Sequence, residues 1–424
     1  MAYEKLDAVR IGNIIKSIHL EKNIPVKEIA RKLNVSVSTI SQFETGKNYA
    51  SIERCKELFS ICDCQFDYDM DFNEVRNKLH LFYEGYAQVN QTNLLIKVKS
   101  YLKNENDFYS FARFEYALIL YLYSIISEKL DVVSKYNLEE IIQCGLSSFD
   151  SKSKSIYMDL KSTYYFWGNN INESRKYALK ALELNPRNFM ANYHYGIINI
   201  RNGYYTIASQ YLDAATIQAL NLVAFERLIY ITLCKSLLLQ HTYQFEESLH
   251  MSLNLLNESR KRKDIRLEKS VKSNIVFNYL IQKKYEQALK WLNDIDEQYL
   301  EQREMIYKVF VLYQLRRYDS CMVFIKKYYQ QLKDLKKCRE FLNGLKYLIH
   351  HKSDKAIQCF ETCYRISVSN GELDNAMFDL RVLEELYYEF GCLKRTQRVY
   401  ELLNEFYRIS HSKVELDNVK LSLE

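Results

Sequence analysis

Residues 26–47, VKEIARKLNVSVSTISQFETGK, decide how the rest of the chain is read. Ile29, Ala30 and Leu33 recur at helical spacing and set an apolar stripe on a short first helix. Ala30 is small enough for close helix–helix approach. Asn34-Val35 makes a tight corner, and Ser36 follows as a natural N-cap whose hydroxyl accepts from free amides of the next helix. In that second helix Ile40 and Phe43 share one face, which leaves Val37, Ser38, Thr39, Ser41 and Gln42 turned outward. Gly46 suits the left-handed stop after Glu44-Thr45. A short helix with small polar residues at its exposed N-terminal end fits a major groove and reaches base edges.

Working outward, IGNIIKSIHLEKN (11–23) and SIERCKELFSI (51–61) extend the unit on both sides. The segment STISQFETGK (38–47) resembles the signature of phage-repressor-like (Xre or Cro/C1-type) DNA-binding domains. The resemblance implies a five-helix domain over residues 1–66. It places Ser38 and Gln42, with Val37 beside them, where the family reads bases. Ser36, Thr39, Ser41 and Lys47 fall where the family touches phosphates. Two positions depart from the pattern. Val26 stands where the family often has Gln, so one phosphate contact is not expected. His19 stands where an arginine often pairs with the glutamate here numbered Glu44, so that ion pair is expected to be weaker or dependent on pH.

Composition sets the rest of the frame. At 424 residues the chain is too long for one core. It holds two prolines and ten glycines, far below the usual ~5% and ~7%. Strand-rich and α/β folds need turns with positive φ, which so few glycines cannot supply, so an all-α chain is expected. The 36 tyrosines suit many helix–helix interfaces in which a ring packs and its hydroxyl stays wet. Net charge is +6 overall, and residues 1–67 set ten Lys/Arg against nine Asp/Glu, a net of only +1. Affinity for DNA would therefore rest on local placement and dimerisation rather than on bulk charge.

The ten cysteines form no CxxC pair and no signal peptide is read before them, which points to reduced, mostly buried thiols. Cys359 and Cys363 with His350 and His351 give a metal reading that is weaker than buried packing. The longest apolar run, ALILYLYSII (117–126), is about half of what spans a bilayer. The reading is of a soluble, cytoplasmic protein with no membrane partner and no cofactor. No GxxxxGK[ST], GxGxxG, HExxH or GxSxG occurs, and the eight histidines are scattered, so nothing argues for an enzyme.

Residues 67–73 read as a linker and 74–150 as degenerate helical hairpins, with 112–130 a buried helix. From 151 to 424 the chain repeats itself. Small or hydroxyl residues recur shortly after a turn, at Ser174, Ala208, Ser248, Ala288, Cys321, Ala356 and Thr396. Their intervals are 34, 40, 40, 33, 35 and 40 residues. The pattern resembles tetratricopeptide repeats, whose period is ~34 residues, and seven hairpins are expected. The competing reading is an irregular helical bundle, which does not predict that pattern. A right-handed superhelix of such hairpins presents a concave face from the first helix of each pair.

Asn274 and Asn278 lie four apart on a first helix, and an asparagine amide both donates to and accepts from a peptide backbone. Tyr193, Ile197 and Arg201, with Ile200, have groove-like spacing, as do Asp159 and Thr163 with Trp167; Arg201 or Asp159 would anchor a peptide terminus or charged side chain. Plain alternatives stand beside them: mid-helix asparagines often cap or face solvent, and Trp167 suits a core. The basic run ESRKRKDIRLEKSVK (258–272) reads best as a solvated turn between hairpins.

The combination of an Xre-like domain and a tetratricopeptide array is similar to the RRNPP family of Gram-positive regulators (Rgg, NprR, PlcR and PrgX types). That similarity implies a cytoplasmic homodimer on an inverted-repeat operator in double-stranded DNA, switched by a short signalling peptide in quorum sensing. The Rap phosphatases share the repeats but lack the DNA-binding unit, so a phosphatase role is disfavoured. Two alternatives stay open: a repeat-based interaction scaffold, and a DNA-binding regulator without a peptide ligand.

Overall fold

A computed structural model of the chain describes residues 5–48, 50–64, 66, 70–88, 91–102, 108–413 and 421–423. Among the described residues the regular structure is helical, with no β-strand. No helix among them is long and apolar enough to cross a membrane. The chain divides into two compact units, Met1–Trp167 with Lys176–Ala191, and Gly168–Arg175 with Asn192–Glu424.

The first unit opens with α1 (Lys5–Glu21), α2 (Val26–Lys32), α3 (Val37–Glu44) and α4 (Ile52–Ile61). Then come α5 (Phe72–Ala87), α6 (Gln91–Tyr101), α7 (Arg113–Ile126), α8 (Asp131–Lys135), α9 (Leu138–Gly145) and α10 (Ser151–Trp167). The expected buried helix is α7, apolar nearly all round and packed against α5, α6, α9 and α10. Of the expected linker, residues 67–69 lie outside the described residues. What is described does not hang free: Phe66 stacks on Phe59 with centroids 4.1 Å apart, and Asp71 caps α5 by accepting from the Asn73 amide.

Arg10 and Arg113 tie α1 to this helical body. Arg10 and Arg76 both meet the carboxylate of Glu115 on α7, which is fully buried. Arg113, also fully buried, donates to Ser17 Oγ (2.8 Å) and to Glu21 at the far end of α1. The unit with the helix-turn-helix therefore has one continuous core, extending past the boundary expected at residue 66.

α11 (Ile171–Leu184) and α12 (Phe189–Arg201) lead into the repeats, followed by α13 (Tyr205–Asn221), α14 (Phe225–His241), α15 (Phe245–Arg262) and α16 (Ile265–Ile281). The array continues with α17 (Tyr285–Asn293), α18 (Gln302–Gln314), α19 (Tyr318–Leu332), α20 (Lys336–Ile349), α21 (Ser353–Asn370), α22 (Leu373–Glu389) and α23 (Leu393–His411). From α13 onward each helix packs on the next. All seven small residues expected on second helices fall in the first turn of α11, α13, α15, α17, α19, α21 and α23, and all are buried. The basic run, expected as a solvated turn, instead spans the end of α15, the two-residue turn 263–264 and the first half of α16, with Arg262 on Glu258 and Lys272 on Glu268 and Asp294. Cys359 and Cys363 are buried on α21, where the Cys363 thiol donates to the Lys337 carbonyl and burial pushes the Cys359 thiol up to about 12.

One backbone feature recurs with fixed spacing. Five residues before each small residue the chain turns through positive φ, at Asn169, Gly203, Tyr243, Lys283, Arg316, His351 and Gly391. Around Arg316, for example, the Arg316 amide donates to Tyr313 O (2.9 Å) and the Arg317 amide to Leu312 O (2.9 Å), satisfying carbonyls at the helix end. Only two of these seven residues are glycine, so the expectation that scarce glycine means scarce positive-φ turns is corrected. A side-chain-bearing residue in this conformation costs about 1–2 kcal/mol, part of which glycine returns through a more flexible unfolded chain. Arg316→Gly, at an exposed turn, should raise the urea midpoint by an amount equivalent to about 0.5–1 kcal/mol, while Arg316→Ala should not. Equal midpoints for the two variants would show that the turn is unstrained.

Candidate functional site

Local chemistry builds the helix-turn-helix as expected. Asn34 takes the corner at φ 53°, and Gly46 stops α3 at φ 66°. Ser36 caps α3, its hydroxyl accepting from the Thr39 amide at 3.0 Å. Ile40 and Phe43 are buried against α1, while Ser36, Val37, Ser38, Ser41, Gln42 and Lys47 are exposed and Thr39 is half-buried. Val37 is 45% exposed, an apolar side chain presented to solvent beside the polar ones. The Gln42 side-chain carbonyl accepts from Asn48 Nδ2 at 3.4 Å, a weak contact that leaves its amide free to reach outward.

Three contacts hold α1 on α3. His19 Nε2 lies 2.8 Å from Glu44 Oε1, so the histidine does meet this glutamate, and its other ring nitrogen faces the Ile24 carbonyl at 3.2 Å. Gly12 lets the α1 backbone touch the end of α3, where an added Cβ would stand 2.1 Å from the Phe43 carbonyl oxygen. Gly46 packs on the backbone of Val9. The exposed face of α3 is thus set by backbone contact on its buried side.

The residues expected to line a peptide groove divide sharply. In the first unit, Asp159 and Thr163 are buried on α10; Asp159 accepts from the Tyr83 hydroxyl at 2.7 Å, and the Thr163 hydroxyl donates to the Asp159 carbonyl. Trp167, weighed as core, is 41% exposed. In the second unit, Tyr193 is buried beneath the Arg227 guanidinium, and Ile197 and Arg201 are half-buried. Asn274 and Asn278 do share a face of α16, but that face is turned into the protein. The Asn274 amide donates to Leu233 O and Ser236 Oγ on α14, and the Asn278 amide to Phe245 O on α15 while its carbonyl accepts from Gln282. Both side chains therefore hold neighbouring helices together in this structure, rather than lining open solvent.

What the sequence did not reveal is how α22 meets the earlier hairpins of the second unit. Arg201, the expected anchor, faces two of the chain's own carboxylates, Glu372 (3.4 Å) and Asp374 (3.5 Å), at the start of α22. Further along, Arg381 reaches the Tyr243 hydroxyl and Lys283 reaches Glu385. Rings from successive hairpins line up beneath α22: Tyr205 on His241 (4.7 Å), His241 on Phe277 (5.3 Å), Phe277 on Tyr307 (6.0 Å), and Tyr307 on Phe378 of α22 itself (6.2 Å). Burial drives the His241 pKa down to about 3, so this ring is neutral, with Nδ1 at 3.0 Å from the Tyr205 hydroxyl. A narrow recess remains between α14, α16 and α22, lined in part by Gln240, His241, Phe277 and Asp374. The lone sequence signal for it was a glutamine inside the apolar run SLLLQH (236–241).

Residues 15–68 match the family described as helix-turn-helix. A comparison with curated proteins by sequence gives no match. Among solved structures, a Rap protein complexed with competence and sporulation factor aligns at 12% identity and TM-score 0.62, over 80% of this chain and 96% of that one. NprR in complex with its cognate peptide NprX aligns at 14% identity and TM-score 0.63, over 79% and 99%. The apo form of the quorum sensor NprR from B. thuringiensis aligns at 15% identity and TM-score 0.55, also over 79% and 99%. At such identities the likeness is one of fold. The architecture resembles that of the Rap and NprR structures. It joins a helix-turn-helix domain to a superhelix of helical hairpins, as the sequence implied.

Gly12→Ala should destabilise the helix-turn-helix by about 1–3 kcal/mol, because the methyl has only backbone to push against. Amide exchange in residues 5–61 should quicken, with residues 205–410 unchanged. Unaltered exchange in α3 would refute the close α1–α3 approach.

Proposed function

We propose that this chain is a DNA-binding transcriptional regulator whose repeats take a short signalling peptide and whose operator-bound form is a homodimer. The observation that carries the reading is the outward face of α3. Val37, Ser38 and Gln42 are exposed on a helix whose other face is fixed to α1, with Ser36, Thr39, Ser41 and Lys47 placed around it for phosphates. Such a helix offers base-edge donors and acceptors without needing a strongly basic domain. Peptide complexes of the Rap and NprR structures support a ligand in the repeats. In the second unit Arg201 and Ile197 are the accessible members of the expected ligand set, whereas Asn274 and Asn278 would join a ligand only if α16 parts from α14 and α15.

Self-association has support in exposed apolar side chains of the second unit. Ile217, Leu220, Leu222, Val223 and Phe225 crowd the α13–α14 turn, in a stretch (214–225) with no charged residue. A surface that meets its own copy across a twofold axis avoids like-charge repulsion when it carries no charge.

Selection of an operator from random duplexes, followed by binding assays on two variants, tests the DNA half. Gln42→Ala should weaken the selected operator by ~1–3 kcal/mol and leave non-specific DNA nearly unchanged. Lys47→Ala should weaken all sequences and reduce the salt slope by about one. Equal losses on every DNA for Gln42→Ala would remove it from base readout.

The footprint should cover two inverted half-sites separated by about one helical turn, ~34 Å, or a multiple of it. A single protected half-site, with monomer mass at binding concentrations, would sink the dimer.

A further inference from the structure

The recess between α14, α16 and α22 holds acceptors with nothing to accept. Gln240 is 1% exposed, and its side-chain nitrogen donates to Ser248 Oγ and to the Asn274 carbonyl, each at 3.0 Å. Because a carbonyl only accepts, the amide nitrogen must face Asn274, which fixes the orientation and leaves Gln240 Oε1 on the other side. That oxygen is buried and has no hydrogen-bond partner among the described residues. Asp374 Oδ1, buried in the lining of the same recess, has none either. A buried acceptor left unmade costs stability that a donor would restore.

The surroundings say what kind of donor fits. Phe277, Ile281, Met377 and Phe378 supply apolar walls, so the incoming group needs an apolar body behind its polar tip. The cations near Asp374 are each shared or engaged elsewhere: Lys337 pairs with Asp379 at 3.0 Å and Arg303 with Glu304 at 3.5 Å. Glu372 and Asp374 share Arg201, whose contact with Asp374 is long at 3.5 Å. His241 is held neutral by burial, and Arg381 is engaged with the Tyr243 hydroxyl. Burial, with Glu372 adding to it, raises the Asp374 pKa from its ordinary value, against the opposing pulls of Arg201, the Asn375 amide and Lys337. A cation arriving beside Oδ1 would reverse that.

We infer that this recess is a subsite for an ammonium group on an apolar stem, held by Gln240 Oε1 and Asp374 Oδ1. It rests on the reading of the repeats as a peptide receptor, and two parts of a peptide carry this chemistry: a lysine side chain and the free N-terminus.

The test screens a positional-scanning pool of synthetic heptapeptides for those that raise the melting temperature of the full chain. The best binder is then compared by calorimetric titration with its N-acetylated form and with each lysine replaced by norleucine. One of these changes should weaken binding to the wild type about tenfold or more, identifying the source of the ammonium. The same change should cost less than about threefold against Asp374→Asn, and likewise against Gln240→Met, the second variant deciding should the first fail to fold. If the binder tolerates every change, or loses equally in wild type and variants, the recess is filled by water alone and the subsite is overturned while the receptor reading stands. If no peptide in the pool raises the melting temperature, the receptor reading falls and the subsite with it.

Discussion

One buried carboxylate holds the first unit together. Glu115 sits at the junction of α1, α5 and α7 with no exposed surface, facing Arg10 from the first and Arg76 from the second. An isolated carboxylate there would be strongly destabilising, and two guanidiniums with fixed forks make it tolerable. Arg10 is held further by the ring of Phe72 at 4.0 Å and by the Phe111 carbonyl. Arg113 repeats the device with reversed charge, a buried guanidinium answered by Glu21 and Ser17 of α1. Such pairings are directional, so they fix the angle between helices where apolar contact alone would allow sliding.

The local parts of this arrangement were legible in the sequence. The Ser36 cap and the Gly46 turn act within a few residues of themselves, and helix caps and turns are set at that range. The same holds for the hairpins. Small residues at Ser174, Ala208 and onward mark the first turn of each second helix because only small side chains fit where two helices cross closely. The turns were misjudged for a physical reason: closing hydrogen bonds across the helix end are strong enough to force Tyr243, Lys283, Arg316 and His351 into a conformation usually left to glycine.

The residues expected to face a ligand were less legible, since they are placed by contacts distant in the chain, from 33 residues for Asn278 to 173 for Arg201. Nothing near Arg201 in the chain announces that Glu372 and Asp374 will face it. Asn274 and Asn278 were placed correctly on one face of α16, but periodicity does not say what lies opposite a face. Here α14 and α15 do, and their carbonyls take up both amides. The extent of the first unit was hidden likewise, because the Arg10–Glu115 pair spans 105 residues.

The union of α1 with α7 bears on how α3 would meet DNA under the proposed function. A recognition domain on a slack tether approaches DNA in many orientations and loses that freedom only on docking, which weakens binding. In this protein the freedom of α3 relative to α5 and α7 is already gone when the chain has folded. The helical body behind it then acts as a lever, so a small tilt of α5 or α7 would swing the tip of α3 as one rigid arm.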